Sequence, residues 1–436
     1  MNTSWTMMIA SSSLLIIPPI IGNYSHPTIG VNDQKLLYNL QILIILLTMS
    51  RVVILLLDGV GIGALPDAQK YGDEGSNTLA NLAQAVGGLK LPTFQKLGLG
   101  NIAPLSGVDP SPLPLASYGK MAEASPGKDS TTGHWEIAGI ILDHPFPVYP
   151  DGFPDDVIRK FEERIGRKIL GNVPASGTVI IEELGREHLK TRRPIVYTSA
   201  DSVFQIAAHV DVIPIPELYQ MCEIAREILT GRHQVARVIA RPFEGKPGSF
   251  RRRPERKDFS LPPPHPTLLD RVKESGQVVV AIGKVDEIFA FRGITRSYHS
   301  VRHDECMAYV EKELKEDYSG LIFANFVQFD MDWGHRNNPA GFYQGLIDFD
   351  EWLKGIITTE TGDDLFFITA DHGNDPTTPS TDHSREYVPL LVFGRKIRSG
   401  IDLGTRRSFA DLGQTAARYL EVEALNHGED FLETIS

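Results

Sequence analysis

The chain has 436 residues, 42% of them hydrophobic and 22% charged, with a formal net charge of −12. This specifies a globular protein of one large or two ordinary domains, and the acidic balance excludes a nucleic-acid-binding surface while suiting carboxylates gathered around cations. Two cysteines, Cys222 and Cys306, are too few for a disulfide framework, so a reducing cytoplasm is the expected setting.

Residues 1–48 differ from the rest of the chain. They hold two apolar runs, Met7 to Ile21 and Leu36 to Leu47, and the first basic residue is Lys35. A secretory signal needs a basic start and one short apolar stretch before its cleavage site. Here the basic start is missing and Pro18-Pro19 breaks the first run. A membrane span over Leu36 to Leu57 would enclose Arg51, and Arg51 to Leu57 reads better as a core strand. Residues 1–48 are therefore expected to be an extension outside the functional chain, from a mis-assigned start, with Met49 as the true beginning and no membrane partner.

Arg51-Val-Val-Ile-Leu-Leu-Leu57 is closed by Asp58-Gly59 and reads as a strand buried on both faces. Similar runs occur at Ile195 to Ser199, Val235 to Ala240, Gln277 to Ile282, Leu321 to Phe326, Leu365 to Thr369 and Leu390 to Phe393. Helical patterns separate them at Ile215 to Leu229, Cys306 to Leu314 and Gly341 to Ile356. The alternation predicts an α/β fold with a mostly parallel sheet flanked by helices. Arg241 to Pro266, with Arg251-Arg252-Arg253 and Pro262-Pro263-Pro264, reads as a linker or exposed loop. A second proline-rich patch spans His144 to Pro154. The expected organisation is a core of residues 49–145 and 267–436, interrupted by a smaller inserted domain at 146–266.

Several strands end on a carboxylate or histidine, and in open α/β sheets ligands bind outside the strands' carboxyl ends. Asp330 is followed by His335; Asp371-His372 closes another strand, and His383 lies eleven residues on. Oxygen and imidazole donors from three segments suit a site for two divalent metals. Any one of these residues alone would pass for a loop aspartate or a core histidine; the set does not. Asp58 by itself is better read as a turn cap, and its company makes it a ligand candidate. In Gly127-Lys-Asp-Ser130-Thr131-Thr-Gly-His-Trp-Glu136, three hydroxyls precede a helical segment. They read as a Ser/Thr N-cap, as a nucleophile at a helix N-terminus, or as both.

Two nucleotide motifs fail. Gly59-Val-Gly61-Ile-Gly63-Ala64 fits a dinucleotide fingerprint, but Pro66 and Gly72 interrupt the required helix and no acid-ended second strand comes after it. Gly127-Lys128 is followed by Asp129, and Ala122 stands where a P-loop needs glycine.

Taken in order, Asp58-Gly-Val-Gly, Gly-Lys-Asp-Ser-Thr-Thr-Gly-His-Trp-Glu, Thr198-Ser-Ala-Asp201-Ser, Ile239-Ala-Arg-Pro-Phe, Asp330…Gly-His335, Thr-Ala-Asp371-His372-Gly-Asn and Thr-Asp-His383-Ser-Arg-Glu resemble the phosphopentomutases. The resemblance runs from about Arg51 to the C-terminal helix. It implies an alkaline-phosphatase-like core with an inserted α/β cap. It also implies two manganese ions, one held by Asp330, His335 and His383 and the other by Asp58, Asp371 and His372. The implied reaction interconverts ribose 1-phosphate and ribose 5-phosphate, and the deoxyribose equivalents, with a sugar bisphosphate as primer. A threonine carries the phosphate in the family; its position here is Ser130, which leaves Thr131 as a rival. Asp201 would bind sugar hydroxyls, and Arg237, Arg252 and Lys284 the distal phosphate. Each of these cations reads almost as well as a solvated surface charge. The alternatives are cofactor-independent phosphoglycerate mutase or a hydrolase of phosphate or sulfate esters, although no Cys-x-Pro-x-Arg stretch occurs. A dinucleotide-dependent oxidoreductase is more remote.

Overall fold

The computed structural model describes residues 50–199, 201–359 and 363–436. The expectations for residues 1–48 and for Met49 lie outside them. Among the described residues, no helix is long and apolar enough to cross a membrane.

The first strand, β1 (Ser50–Leu57), is apolar throughout after Arg51, and Val52 to Leu56 are wholly buried. Arg51 is buried too. Its guanidinium grips Asp364 at 2.9 and 2.8 Å and donates to the carbonyls of Glu313, Leu314 and Glu316. The charge inside the apolar stretch is thus a strand anchor. Seven further strands complete an eight-stranded sheet: β2 (Ser117–Met121), β9 (Val278–Ile282), β10 (Arg296–Tyr298), β11 (Gly320–Phe326), β12 (Asp363–Thr369), β13 (Val388–Phe393) and β14 (Asp402–Arg406). The order is β10-β9-β11-β1-β12-β13-β2-β14. Strands β11, β1 and β12 are adjacent and parallel, with Leu57 beside Phe326 and Leu56 beside Thr369. Their carboxyl ends stand together at one edge. Helices including His303–Leu314, Pro339–Thr359 and Ala410–Tyr419 contribute Val310, Phe349 and Leu412 to the same core.

A second sheet is built wholly from chain between β2 and β9. Its strands are β3 (Leu170–Pro174), β4 (Ile195–Thr198), β5 (Val203–His209), β6 (Arg237–Glu244), β7 (Arg251–Arg252) and β8 (Lys257–Ser260). The order is β3-β4-β5-β6-β7, with β8 also pairing with β6. Alternation along β5 and β6 sends Phe204, Ile206, Val238 and Ala240 into a separate core with Phe161, Leu218 and Cys222.

The reading of Arg241 to Pro266 as linker or loop needs correction. Arg241 to Glu244 continue β6, and β7 and β8 pair back onto that strand. The basic composition misleads because these arginines are partnered: Arg253 with Glu244 and Glu255, and Arg256 with Asp258. The proline-rich stretch from Leu261 to Pro266 is irregular chain, as expected.

Candidate active site

The strand order decides which carboxylates meet. Asp58 follows the central strand β1, Asp330 lies in the turn Phe329–Trp333 after β11, and Asp371 follows β12. Asp58 is buried; Oδ2 accepts from Asn325 Nδ2 at 2.9 Å, and Oδ1 is 3.4 Å from His372 Nε2. Asp371 Oδ1 accepts from the Gly59 amide at 3.2 Å, and Oδ2 also stands 3.4 Å from His372 Nε2. Asp330 Oδ1 accepts from Asn374 Nδ2 at 2.6 Å and is 3.3 Å from His383 Nε2, while Oδ2 is 3.1 Å from His335 Nε2.

Backbone carbonyls orient two of the imidazoles. His335 Nδ1 donates to Thr381 O at 2.7 Å, and His372 Nδ1 to Gly373 O at 3.0 Å. Each then presents Nε2 to the carboxylates, an arrangement that fixes the tautomer of a metal-binding histidine. The ligand atoms of Asp330, His335 and His383 lie within 4.8 Å of one another, as do those of Asp58, Asp330 and His372. Asp58 Oδ1 and Asp371 Oδ2 are buried without a hydrogen bond, which divalent cations at these donors would satisfy. The donor set suits divalent metals, but the second cluster holds Asp330 where the sequence reading had Asp371, whose Oδ2 stands beside His372 Nε2.

The electrostatics agree. Burial raises Asp58, and the neighbouring Asp371 adds to that rise. Burial also pushes Asp330 upward, but His383 and His335 outweigh it and hold this carboxyl well below its usual range. Burial lowers His335, yet Asp330 lifts it to about 9. Three carboxylates favour positive charge among them.

Ser130 is the first residue of the helix Ser130–Ile137. The N-cap is Asp129, whose side chain accepts from Thr132 N at 3.1 Å and Thr132 Oγ1 at 2.6 Å. The capping expected of a serine or threonine therefore falls to the aspartate. Ser130 Oγ is left 3.2 Å from His372 Nε2. Thr131 is buried, and both Ser130 and Thr131 line a cavity.

That cavity, of about 610 Å³, lies between the metal-ligand cluster and the second sheet. Asp201, Arg237, Arg252 and Lys284 all line it, so the structure brings every sequence-predicted substrate contact to one place. Arg237 Nη2 is 3.6 Å from Asp201 Oδ2. Lys284 is pulled below its usual range by burial and by Arg256 and Arg237, and it forms no ion pair among the described residues.

Other residues escaped the sequence reading. His134 is wholly buried; its Nδ1 hydrogen-bonds Ser130 O at 2.8 Å and stands 2.9 Å from Asp371 Oδ2, tying the Ser130–Ile137 helix to the end of β12. A Cβ on Gly133 would lie 2.2 Å from the Asp371 carbonyl oxygen, so that helix can approach closely only with glycine there. Glu136 accepts from the amides of Ala124, Ser125 and Phe409 and from Ser408 Oγ. Arg385 donates to the carbonyls of Ser125 and Gly127 and pairs with Glu123. Glu386 accepts from the amides of Gly63 and Thr78 and the hydroxyls of Thr78 and Ser384. Arg241, Arg256 and Asp258 also line the cavity. The alternation of Arg237, Ile239 and Arg241 was a visible strand signal for part of this set.

A model of the metalloenzyme superfamily matches residues 50–424. The chain is 60% identical over 387 residues to a phosphopentomutase from Dictyoglomus thermophilum, spanning 89% of this chain and 99% of that one. It is 58% identical over 375 residues to one from Carboxydothermus hydrogenoformans, spanning 86% and 97%. Among solved structures, a Leishmania mexicana phosphoglycerate mutase covers 89% of this chain and 98% of its own, at 14% identity and a TM-score of 0.46. The chain belongs to the phosphopentomutase family within the metalloenzyme superfamily, and is a metal-dependent phosphomutase of the isomerase class.

Proposed function

We propose that the chain interconverts ribose 1-phosphate and ribose 5-phosphate, and their deoxyribose equivalents, through a phosphorylated Ser130. The observation that carries this reading is the placement of Ser130 Oγ, 3.2 Å from His372 Nε2 at a helix N-terminus, in a cavity shared with Arg237, Arg252 and Lys284. Asp330, His335 and His383 would hold one divalent metal and Asp58, Asp371 and His372 a second, with manganese the metal that the family implies. When bound, the metals favour the alkoxide and neutralise charge on the transferring phosphoryl group.

The chain's own residues account for the rest. The helix N-terminus favours negative charge at Ser130. Asp129 secures that terminus and His134 holds it against Asp371. Arg237, Arg252 and Lys284 grip the phosphate already on the sugar, while Asp201 takes its hydroxyls. The Ser130 Oγ–P bond breaks as a free sugar hydroxyl bonds to phosphorus, giving a sugar bisphosphate. The bisphosphate turns over, and its other phosphoryl group returns to Ser130 Oγ as the sugar oxygen leaves. A sugar bisphosphate supplied from outside would prime the unphosphorylated enzyme.

Residues 146–266 would act as the cap that keeps water from the phosphoryl group, between core segments 49–145 and 267–436. The second sheet and its separate core support that division. A cytoplasmic setting is supported by Cys222 and Cys306, both buried and free.

The test is a coupled assay of the protein with ribose 1-phosphate, manganese and a bisphosphate primer. Ribose 5-phosphate should form, and a chelator or Ser130→Ala should abolish it. Loss on Thr131→Ala alone would move the nucleophile by one residue. Release of free phosphate in place of isomerisation would mark a hydrolase and refute the reading.

A further inference from the structure

The second sheet presents one face to the cavity, and its register shows which side chains share that face. On β6 they are Arg237, Ile239 and Arg241, each two residues from the next. Opposite them, Ser260 pairs with Arg237 and Asp258 with Ile239. Arg256 lies two residues before Asp258, just ahead of β8, and also lines the cavity. Asp258 is only 7% exposed. It takes Arg256 in a two-pronged contact, Nε to Oδ1 at 2.7 Å and Nη2 to Oδ2 at 2.6 Å.

We propose that Arg256 is a fourth cation of the distal-phosphate grip and that Asp258 is the residue that positions it. This rests on the assignment of Arg237, Arg252 and Lys284 to that phosphate.

Three observations carry it. First, the contact with Asp258 uses Nε and Nη2, so Nη1 remains for a ligand in the cavity. A guanidinium held along one edge is pre-set for planar two-point recognition of phosphate. Second, Asp258 does not need Arg256 for neutrality alone, because Arg237 Nη1 is already 3.8 Å from its Oδ2. Third, the local charges do not balance. On the side of the cavity built by the second sheet and its loops, Arg237, Arg241, Arg252 and Arg256 face only Asp201 and Asp258, whereas Asp58, Asp330, Asp382 and Arg336 line the opposite side. The excess of two cations matches a phosphate monoester, which is close to dianionic at neutral pH. Burial lowers Arg241 to about 10, and the neighbouring Arg256 contributes; such crowding is relieved when an anion enters. Without the carboxylate of Asp258, Arg256 would be repelled from the other cations.

The test is steady-state kinetics of the full chain with ribose 5-phosphate, with inorganic phosphate as competitive inhibitor. Arg256→Ala should raise KM and the phosphate inhibition constant roughly 10- to 100-fold, the loss of a charge-assisted hydrogen bond, and kcat should fall much less. Guanidinium in the assay should restore part of the lost affinity. Asp258→Asn should raise KM in the same direction without guanidinium rescue, because its arginine is present but mis-aimed. Lys284→Ala is the control. If it raises KM while Arg256→Ala does not, the proposal fails and the distal-phosphate assignment stands. If neither changes KM, that assignment fails as well. A rise in KM for Arg256→Ala that guanidinium cannot reverse, with a lowered unfolding temperature, would make the pair with Asp258 purely structural and overturn the proposal.

Discussion

Replacing Arg385 by methionine keeps most of the buried stem and removes one guanidinium from a crowded place. Its Nη1 donates to Glu123 Oε2 at 2.6 Å, Ser125 O at 2.8 Å and Gly127 O at 2.6 Å; Nη2 donates to Glu123 O at 3.0 Å. The Arg385 and Glu123 side chains are 4% and 2% exposed, so water cannot replace these bonds. Breaking a buried pair by deleting one partner costs about 3–5 kcal/mol. Glu123 is already pushed well above the usual carboxylate range by burial, with Arg385 the strongest influence holding it down. In the variant it would take up a proton, which places the loss near the low end of that range, about 3 kcal/mol. A carboxyl with a raised folded-state pKa makes its full contribution below its unfolded value and loses it as pH rises through the folded one. The deficit should therefore be larger at about pH 8 than at about pH 5. The tethered residues 123–127 lead directly to Asp129 and Ser130, and a displacement of about 1 Å there is enough for a loss of about 100-fold in kcat. Urea unfolding at both pH values, with the isomerisation assay, measures all three quantities. A deficit under about 1 kcal/mol, or one that widens on acidification, would refute the argument.

Gly133→Ala should weaken binding of an added divalent metal at least tenfold, on the order of 1.4 kcal/mol, because the new Cβ meets the Asp371 carbonyl, which is backbone and cannot swing aside. Calorimetric titration with manganese checks this, and near-native affinity would count against the packing argument. His303 is buried among Phe326, Phe329 and Trp333, accepts from the Gln328 amide at 3.1 Å, and is lowered by burial to about 4. Since the unfolded chain binds the proton first, stability should fall as pH drops from about 6.5 to 4, by about 3 kcal/mol in all. His303→Gln should flatten that limb of the stability profile relative to the parent; parallel profiles would show that the proton binds elsewhere.

The strands and ligands were legible for a shared reason. Val52 to Leu57, Leu321 to Phe326 and Leu365 to Thr369 are buried on both faces, so they read as continuous apolar runs, and each is followed within a few residues by the acid that the fold uses. Supporting groups were illegible where their role depends on tertiary approach. Nothing local marks Glu136 as the acceptor for Phe409, or Arg385 as the donor to Gly127. Arg256 and Asp258 were hidden differently: a basic, proline-rich stretch looks like solvated loop, and the pairing of β8 with β6 is not visible from its own four residues. Asp129 displaced the serine and threonines as N-cap because aspartate caps as well as they do and, one residue earlier, its carboxylate reaches both the amide and the hydroxyl of Thr132.

The strand order carries a consequence for synthesis on the ribosome. The six-stranded sheet pairs near neighbours, such as Val203 with Arg237 and Ala240 with Lys257, and every one of its strands has emerged once Ser260 is out. Strand β1 is made earlier, yet its partners begin only at Gly320 and Asp363. Through that interval Val52 to Leu57 is a bare apolar strand with both edges unpaired, a template for pairing between nascent chains. Chaperone dependence and aggregation during expression should therefore track this hexapeptide, and the residues that finally protect it are the last third of the chain.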